Sequence, residues 1–206
     1  MKLDLVSEQM SLREIVGDAH PAAKDKEMDR LDKHGRHFIS LSPFLCLGTM
    51  SADGKADVSP RGDPPGFVQV PDDKTLLIPD RKGNRRIDSM TNILENPSVG
   101  VIFFLPGVEE TLRVNGKASV INDPETLAKM EVNKHVPTVA IRIDIETVFF
   151  HCAKALKRSR LWDPDARIDR DQFPRYGEIW RDQRMQDANA HELEAFIQQN
   201  YKEELY

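Results

Sequence analysis

The sequence predicts a mainly β domain, a small barrel with helical arms at both ends. Between Phe44 and Phe149, short apolar runs recur at a spacing of about ten residues, as in small barrels. Turn chemistry separates them: Asp53-Gly54, Pro71-Asp72-Asp73 and Pro106-Gly107. Outside that stretch the apolar period lengthens to that of helices. A chain of 206 residues suffices for one domain with a real core and extensions.

Residues 11–35 read as two helices broken at Pro21. Ser11 and Glu14 stand at capping-box spacing. Leu12, Ile15 and Val16 form one apolar stripe, Met28 and Leu31 a second, and Gly35 closes the segment. Residues 44–50 are a strand, Asp53-Gly54 supplies a hairpin turn, and residues 55–61 return. Gly62-Asp63-Pro64-Pro65-Gly66 must be loop. Residues 67–70 and 75–78 make the next hairpin. Residues 84–94 read as a helix with Ile87, Met90 and Leu94 on one face, stopped by Asn96-Pro97. Residues 99–105 are unbroken apolar, a strand buried on both sides. Residues 111–121 are a long strand, and a short helix starts near Asp123-Pro124. Over residues 138–149, Val139, Ile141, Ile143 and Ile145 alternate with Arg142, Asp144 and Glu146, the mark of a half-buried strand. Residues 153–162 are basic and helical, and 163–187 polar and irregular. A tail helix over 189–205 shows Leu193, Phe196 and Ile197 on one face. The expected organisation is an arm over 1–37, a barrel over 38–162 and a tail over 163–206.

The formal net charge of −5 argues against a dedicated nucleic-acid binder. Two cysteines, Cys46 and Cys152, make no disulfide framework. The first residues lack the apolar core of a signal peptide, and the longest apolar run is too short to span a bilayer. The expectation is a cytoplasmic protein with no membrane contact.

Four groups of side chains suit chemistry. Ser59-Pro60-Arg61-Gly62-Asp63 lies at a strand end, where an arginine can bind phosphate through paired charge-assisted bonds; the same residues suit an ordinary surface loop. Arg81-Lys82-Gly83-Asn84-Arg85-Arg86 precedes a helix. Helix N-termini attract anions, and cations clustered there oppose the dipole unless an anion joins them; a solvated basic loop is the alternative. Thr111, Arg113 and Asn115 share one face of a strand, facing either the edge of a planar heterocycle or plain solvent. His151-Cys152 suggests a metal or a thiolate, but strand neighbours point apart and Cys46 has no partner spacing. A buried cysteine and a hydrogen-bonded histidine are the simpler expectation, with no metal. Lys154 and Trp162 can reach a ligand edge or a partner subunit. No GxGxxG follows a strand and no GxxxxGK[ST] occurs, so a bound phosphate must rely on side-chain cations. No catalytic acid, base or nucleophile stands out.

With those motifs, residues 38–162 resemble the pyridoxamine 5′-phosphate oxidase-like family of FMN-binding split barrels. The likeness is closest to the branch of uncharacterised flavoproteins that carry S-P-[RK]-G-D and E-T-L-R-V-N-G. It implies a six-stranded split β-barrel (α+β, mainly β) with N- and C-terminal helical extensions. It also implies a homodimer with FMN at the interface. By the same resemblance, Val58, Ser59, Pro60 and Arg61 contact the FMN phosphate and ribityl chain. Ile78 and Pro79 offer backbone to the isoalloxazine. Asn84, Arg85 and Arg86 match the family's Ser-Arg-Lys, with Arg81-Lys82 competing for the role. Thr111-Leu112-Arg113-Val114-Asn115-Gly116 matches Gln-Val-Arg-Val-x-Gly, with Thr111 in place of Gln. Arg113 or Lys154 would lie near the pyrimidine side of the ring. The oxidase's C-terminal Trp and Arg-x-His pattern has no equivalent here, so pyridoxamine phosphate is not the expected substrate. The implied activity is an FMN-dependent oxidoreductase acting on a small molecule. The alternatives are a non-catalytic flavin-binding or redox-sensing protein, or a split barrel that holds F420 or haem.

Overall fold

The computed structural model describes residue 6, residues 9–21 and residues 25–206. Six strands form one antiparallel sheet: β1 (Phe44–Met50), β2 (Ala56–Gly62), β3 (Thr75–Pro79), β4 (Ser98–Leu105), β5 (Val108–Ile121) and β6 (Ala140–His151). Their order is β2-β1-β4-β5-β6-β3, every pairing antiparallel. The sheet curls around its core, and no ladder among the described residues joins β2 to β3. The barrel is therefore split along those two edges.

The period of two on each strand builds the core. Leu45 and Leu47, Leu76 and Ile78, Val101 and Phe103, Leu112 and Val114, and Ile141 and Ile143 all point inward and are buried. Each such side chain contributes roughly 1.5–3 kcal/mol on burial. Strand β4 is buried on one side only: Val99, Val101 and Phe103 face the core, while Gly100, Ile102 and Phe104 stay half-buried. The unbroken apolar run overstated it, because the outward-facing residues are only partly covered among the described residues.

The helices depart from expectation in instructive ways. Helix α1 (Gln9–Val16) leaves Leu12, Ile15 and Val16 exposed. The side chain of Ser11 lies outside the described residues, as do residues 22–24 of the expected second helix. Met28 is not helical; its backbone exchanges hydrogen bonds of 3.0 and 2.8 Å with Val148. Gly35 does not end a helix but sits near the start of α2 (Lys33–Leu41), where its N–H donates to the capping Asp32 carboxylate at 2.8 Å. That helix crosses residue 37 and drives Phe38 and Ile39 into the core.

Helix α3 (Asp88–Glu95) starts four residues later than predicted, because Arg85 (φ 57°) and Ile87 (φ 54°) take left-handed backbone. Its buried face is therefore Ser89, Met90 and Ile93, with Ile87 and Leu94 exposed. After α4 (Pro124–Ala128), capped by Asp123, and β6 comes the short basic α5 (Lys154–Ser159). The segment read as irregular contains α6 (Tyr176–Arg184), which packs on α7 (Ala190–Glu203). A Cβ at Gly177 would lie 2.6 Å from Ala190 O and from Glu194 N, so this crossing needs glycine. Its charge-rich sequence hid the helix. Among the described residues, no helix is long and apolar enough to cross a membrane.

Candidate functional site

A cavity of about 1430 Å³ opens where the barrel is split, between β2, β3, the loop after β3 and the start of α3. Strand β2 sets Asp57, Ser59 and Arg61 inward, while Val58 is 68% exposed on the opposite face. Strand β3 ends at Pro79, and the chain leaves the sheet as Asp80-Arg81-Lys82-Gly83-Asn84-Arg85-Arg86. Both flanking groups of cations meet here. Ser59, Pro60, Arg61, Pro79, Asn84, Arg85 and Arg86 line the one cavity, joined by Arg81 and Lys82. Ile78 is wholly buried, and its side chain belongs to the core.

The charges are held by carboxylates. Arg81 Nε donates to Asp63 Oδ2 at 2.5 Å, with the Asp63 side chain only 1% exposed. Arg61 stands 3.7 Å from Asp80, Lys82 is 3.4 Å from Glu204, and Arg86 donates to Asp88 at 2.8 Å. Burial pushes the Asp80 carboxyl above its ordinary pKa, and Arg61 only partly offsets this. Arg61 Nε and Arg81 Nη1 are buried with no hydrogen-bond partner among the described residues. A buried donor left so costs about 1–3 kcal/mol, more when charged. Both guanidinium groups belong to residues that line the cavity, where an anion with several acceptor oxygens can pair with them. Ile87, at the N-cap of α3, gives no side-chain cap, and the first turn of that helix lies on the cavity wall. Its N–H groups therefore add to the positive potential. The left-handed Arg85 and Ile87 are strained for side chains of their type, at roughly 1–3 kcal/mol each. This donor set fits a phosphate.

Thr111, Arg113 and Lys154 do not line this cavity. Thr111 and Arg113 pair with His151 and Phe149 of β6. The Arg113 guanidinium lies over the Phe149 ring at 5.0 Å, with Lys26 Nζ over the same ring at 4.8 Å. Lys26 also donates to Phe150 O at 3.3 Å. Thr111 is buried rather than solvent-facing. His151 Nδ1 is buried and has no hydrogen-bond partner among the described residues, contrary to expectation. Burial first, then Lys26 and Arg113, push its pKa below the usual histidine value. Cys152 is exposed, not buried, because β6 has ended by then. Lys154 opens α5, and Trp162 Nε1 donates to Val108 O at 2.9 Å.

Asp63 stood in the first candidate cluster and Asp80 in none, but the pairing of Asp63 with Arg81 and of Asp80 with Arg61 escaped the sequence, because it depends on how β2 meets β3. Tyr206 lines the cavity and donates to Asp63 Oδ1 at 2.8 Å across 143 positions of chain, for which the sequence carries no signal.

The family model for pyridoxamine 5′-phosphate oxidase matches residues 31–152. No curated protein matches the chain. Among solved structures, a putative pyridoxamine 5′-phosphate oxidase from Lactobacillus delbrueckii is similar at 21% identity and a TM-score of 0.48, covering 60% of this chain and 98% of that one. General stress protein 26 from Bacillus anthracis is similar at 21% identity and a TM-score of 0.44, covering 56% and 88%. An FMN-binding protein from Syntrophomonas wolfei is similar at 9% identity and a TM-score of 0.42, covering 57% and 88%. Likenesses this distant say nothing about activity or ligand.

Proposed function

Because the chain belongs to the pyridoxamine 5′-phosphate oxidase family, we propose that it is a flavoprotein, holding FMN in the cavity at the split and acting as an oxidoreductase on a small molecule. The observation that carries this reading is the pair of buried, partnerless guanidinium nitrogens of Arg61 and Arg81 beside Lys82, Asn84, Arg85 and Arg86. Bound flavin supplies the hydride and electron chemistry. The protein's share is to bind and orient. Arg61, Arg85 and Arg86 neutralise the phosphate, Ser59 and Asn84 add neutral donors, and the backbone at Pro79 borders the rest of the molecule.

The second cluster fits a homodimer. Arg113, Thr111 and Lys154 are displaced from the cavity of their own chain, so in this reading they serve the ligand of a partner copy, with FMN at the interface. The exposed outer-face residues Phe44, Met50 and Val58 give that partner an apolar surface.

The test is to denature the purified protein and identify the released molecule by mass spectrometry. FMN is the expected product, and F420 or haem in its place overturns the assignment. Turnover with NADH or NADPH separates an enzyme from a flavin store or redox sensor.

A further inference from the structure

We propose that Tyr206 is a ligand-positioning residue of this cavity, forming with His135 an aromatic wall beside the cations that selects a flat ring. The family match stops at residue 152, so nothing in it assigns a role to the tail. Yet the tail reaches the site by three separate links. The Tyr206 hydroxyl donates to Asp63 Oδ1 at 2.8 Å. Its ring stacks on His135, with centroids 6.3 Å apart and planes 24° from parallel. Two residues earlier, Glu204 pairs with Lys82 at 3.4 Å.

Both rings line the cavity, and both are anchored. His135 closes a two-residue turn: Asn133 and Lys134 both have positive φ, and the backbones of Val132 and His135 exchange hydrogen bonds of 3.1 and 2.8 Å. Tyr206 is fixed by Asp63, whose other oxygen holds Arg81. One buried carboxylate thus ties the aromatic wall to the cation end. An aromatic wall and cations lining one cavity suit a molecule with a planar heteroaromatic ring and a phosphate, and leave Tyr206 to judge the ring. The bond to Asp63 first, then burial, push the phenol's pKa above its ordinary value.

The inference rests on the flavin reading, so the experiment separates the two. Affinities for FMN, riboflavin and inorganic phosphate are measured by calorimetry for wild type, Tyr206→Ala, Tyr206→Phe and Arg61→Ala, with thermal melts of each. Tyr206→Ala is expected to weaken FMN and riboflavin about tenfold, the size of a lost stacking partner, and to leave phosphate within about twofold of wild type. Tyr206→Phe keeps the ring and so keeps riboflavin. Arg61→Ala shows the opposite pattern, losing FMN and phosphate but not riboflavin. Unchanged riboflavin and FMN affinity in Tyr206→Ala overturns the proposal and leaves the flavin reading standing. Equal weakening of all three ligands also overturns it, since a merely structural residue would do that. If Tyr206→Ala does not fold, a loss of riboflavin binding in a folded Tyr206→Phe overturns it instead. Wild type that binds neither flavin overturns both readings.

Discussion

The cavity at the split and the cluster around Phe149 are both basic, yet the protein treats their charges differently. In the cavity, carboxylates hold the cations: Asp63 holds Arg81, Asp80 faces Arg61 and Glu204 faces Lys82. On the outer face, Arg113 and Lys26 rest on an aromatic ring, and burial together with these two cations pushes the His151 pKa below its ordinary value. The first arrangement is a concave site poised for an anion, with donors to spare. The second is half of a surface, its cations oriented but presented outward. The chain therefore divides its candidate binding residues between two places, which fits a ligand taken jointly by two copies.

The sharpest way to break that comparison is subunit mixing. Arg61→Ala and Arg113→Ala should each weaken FMN by about 2 kcal/mol, the size of a lost charged hydrogen bond. If each ligand takes one cluster from each copy, a mixed dimer of the two variants carries one doubly damaged site and one intact site. Fluorescence titration should then show half the wild-type stoichiometry at wild-type affinity. Uniformly weak sites in the mixture would mean that each chain binds alone.

Next in size is the bulge that sets the outer face. The β5–β6 register shifts between Asn115 and Gly116, and a Cβ at residue 116 would fall 2.1 Å from Asp144 O. Gly116→Ala should cost about 2 kcal/mol in urea unfolding. It should disturb dimer assembly more than phosphate binding, because neither Gly116 nor Asp144 lines the cavity. Phosphate affinity lost with dimerisation intact would contradict the separation of the two regions.

Much of this was legible. Period-two alternation announced β6, and Asp53-Gly54 announced the first hairpin. The cations of Ser59-Pro60-Arg61 and Asn84-Arg85-Arg86 converge because the first sits at the end of edge strand β2 and the second in the loop that leaves edge strand β3. What stayed hidden was non-local. Arg85 and Ile87 adopt left-handed backbone that no propensity favours, so the helix began late and showed another face. The Asp63 contacts with Arg81 and Tyr206 exist only once the tail folds back. The motif E-T-L-R-V-N-G reads as one site with the others, although the sheet places it elsewhere.

Asp80 tests the cavity from within. Its raised pKa means that the ionised form is disfavoured in the fold, so the associated cost is absent below the ordinary carboxylate range. The cost grows as pH rises through the raised folded value. Asp80→Asn should remove it, stabilising the protein by about 1 kcal/mol or less at neutral pH, with the gain vanishing in acid. It also frees Arg61, so phosphate should bind a few-fold tighter. Weaker phosphate binding would mean that Asp80 holds Arg61 in its binding position rather than competing for it.

His151 is the smallest lever and acts with the opposite sign. Its folded pKa lies below the unfolded value of about 6.5. Folding therefore loses stability as pH falls from there through the folded value, because only the unfolded chain takes up the proton. The ring is partly in water, so screening keeps the effect below roughly 0.5 kcal/mol. His151→Gln should abolish this acid loss, so its melting curve gains on wild type between neutral pH and about pH 5, at most by a degree or two. Dimerisation sharpens the prediction. If the outer face is covered by a second copy, burial of the imidazole deepens, and the difference between variant and wild type should grow with protein concentration. A concentration-independent difference would place His151 at a free surface and remove the outer cluster from any shared site.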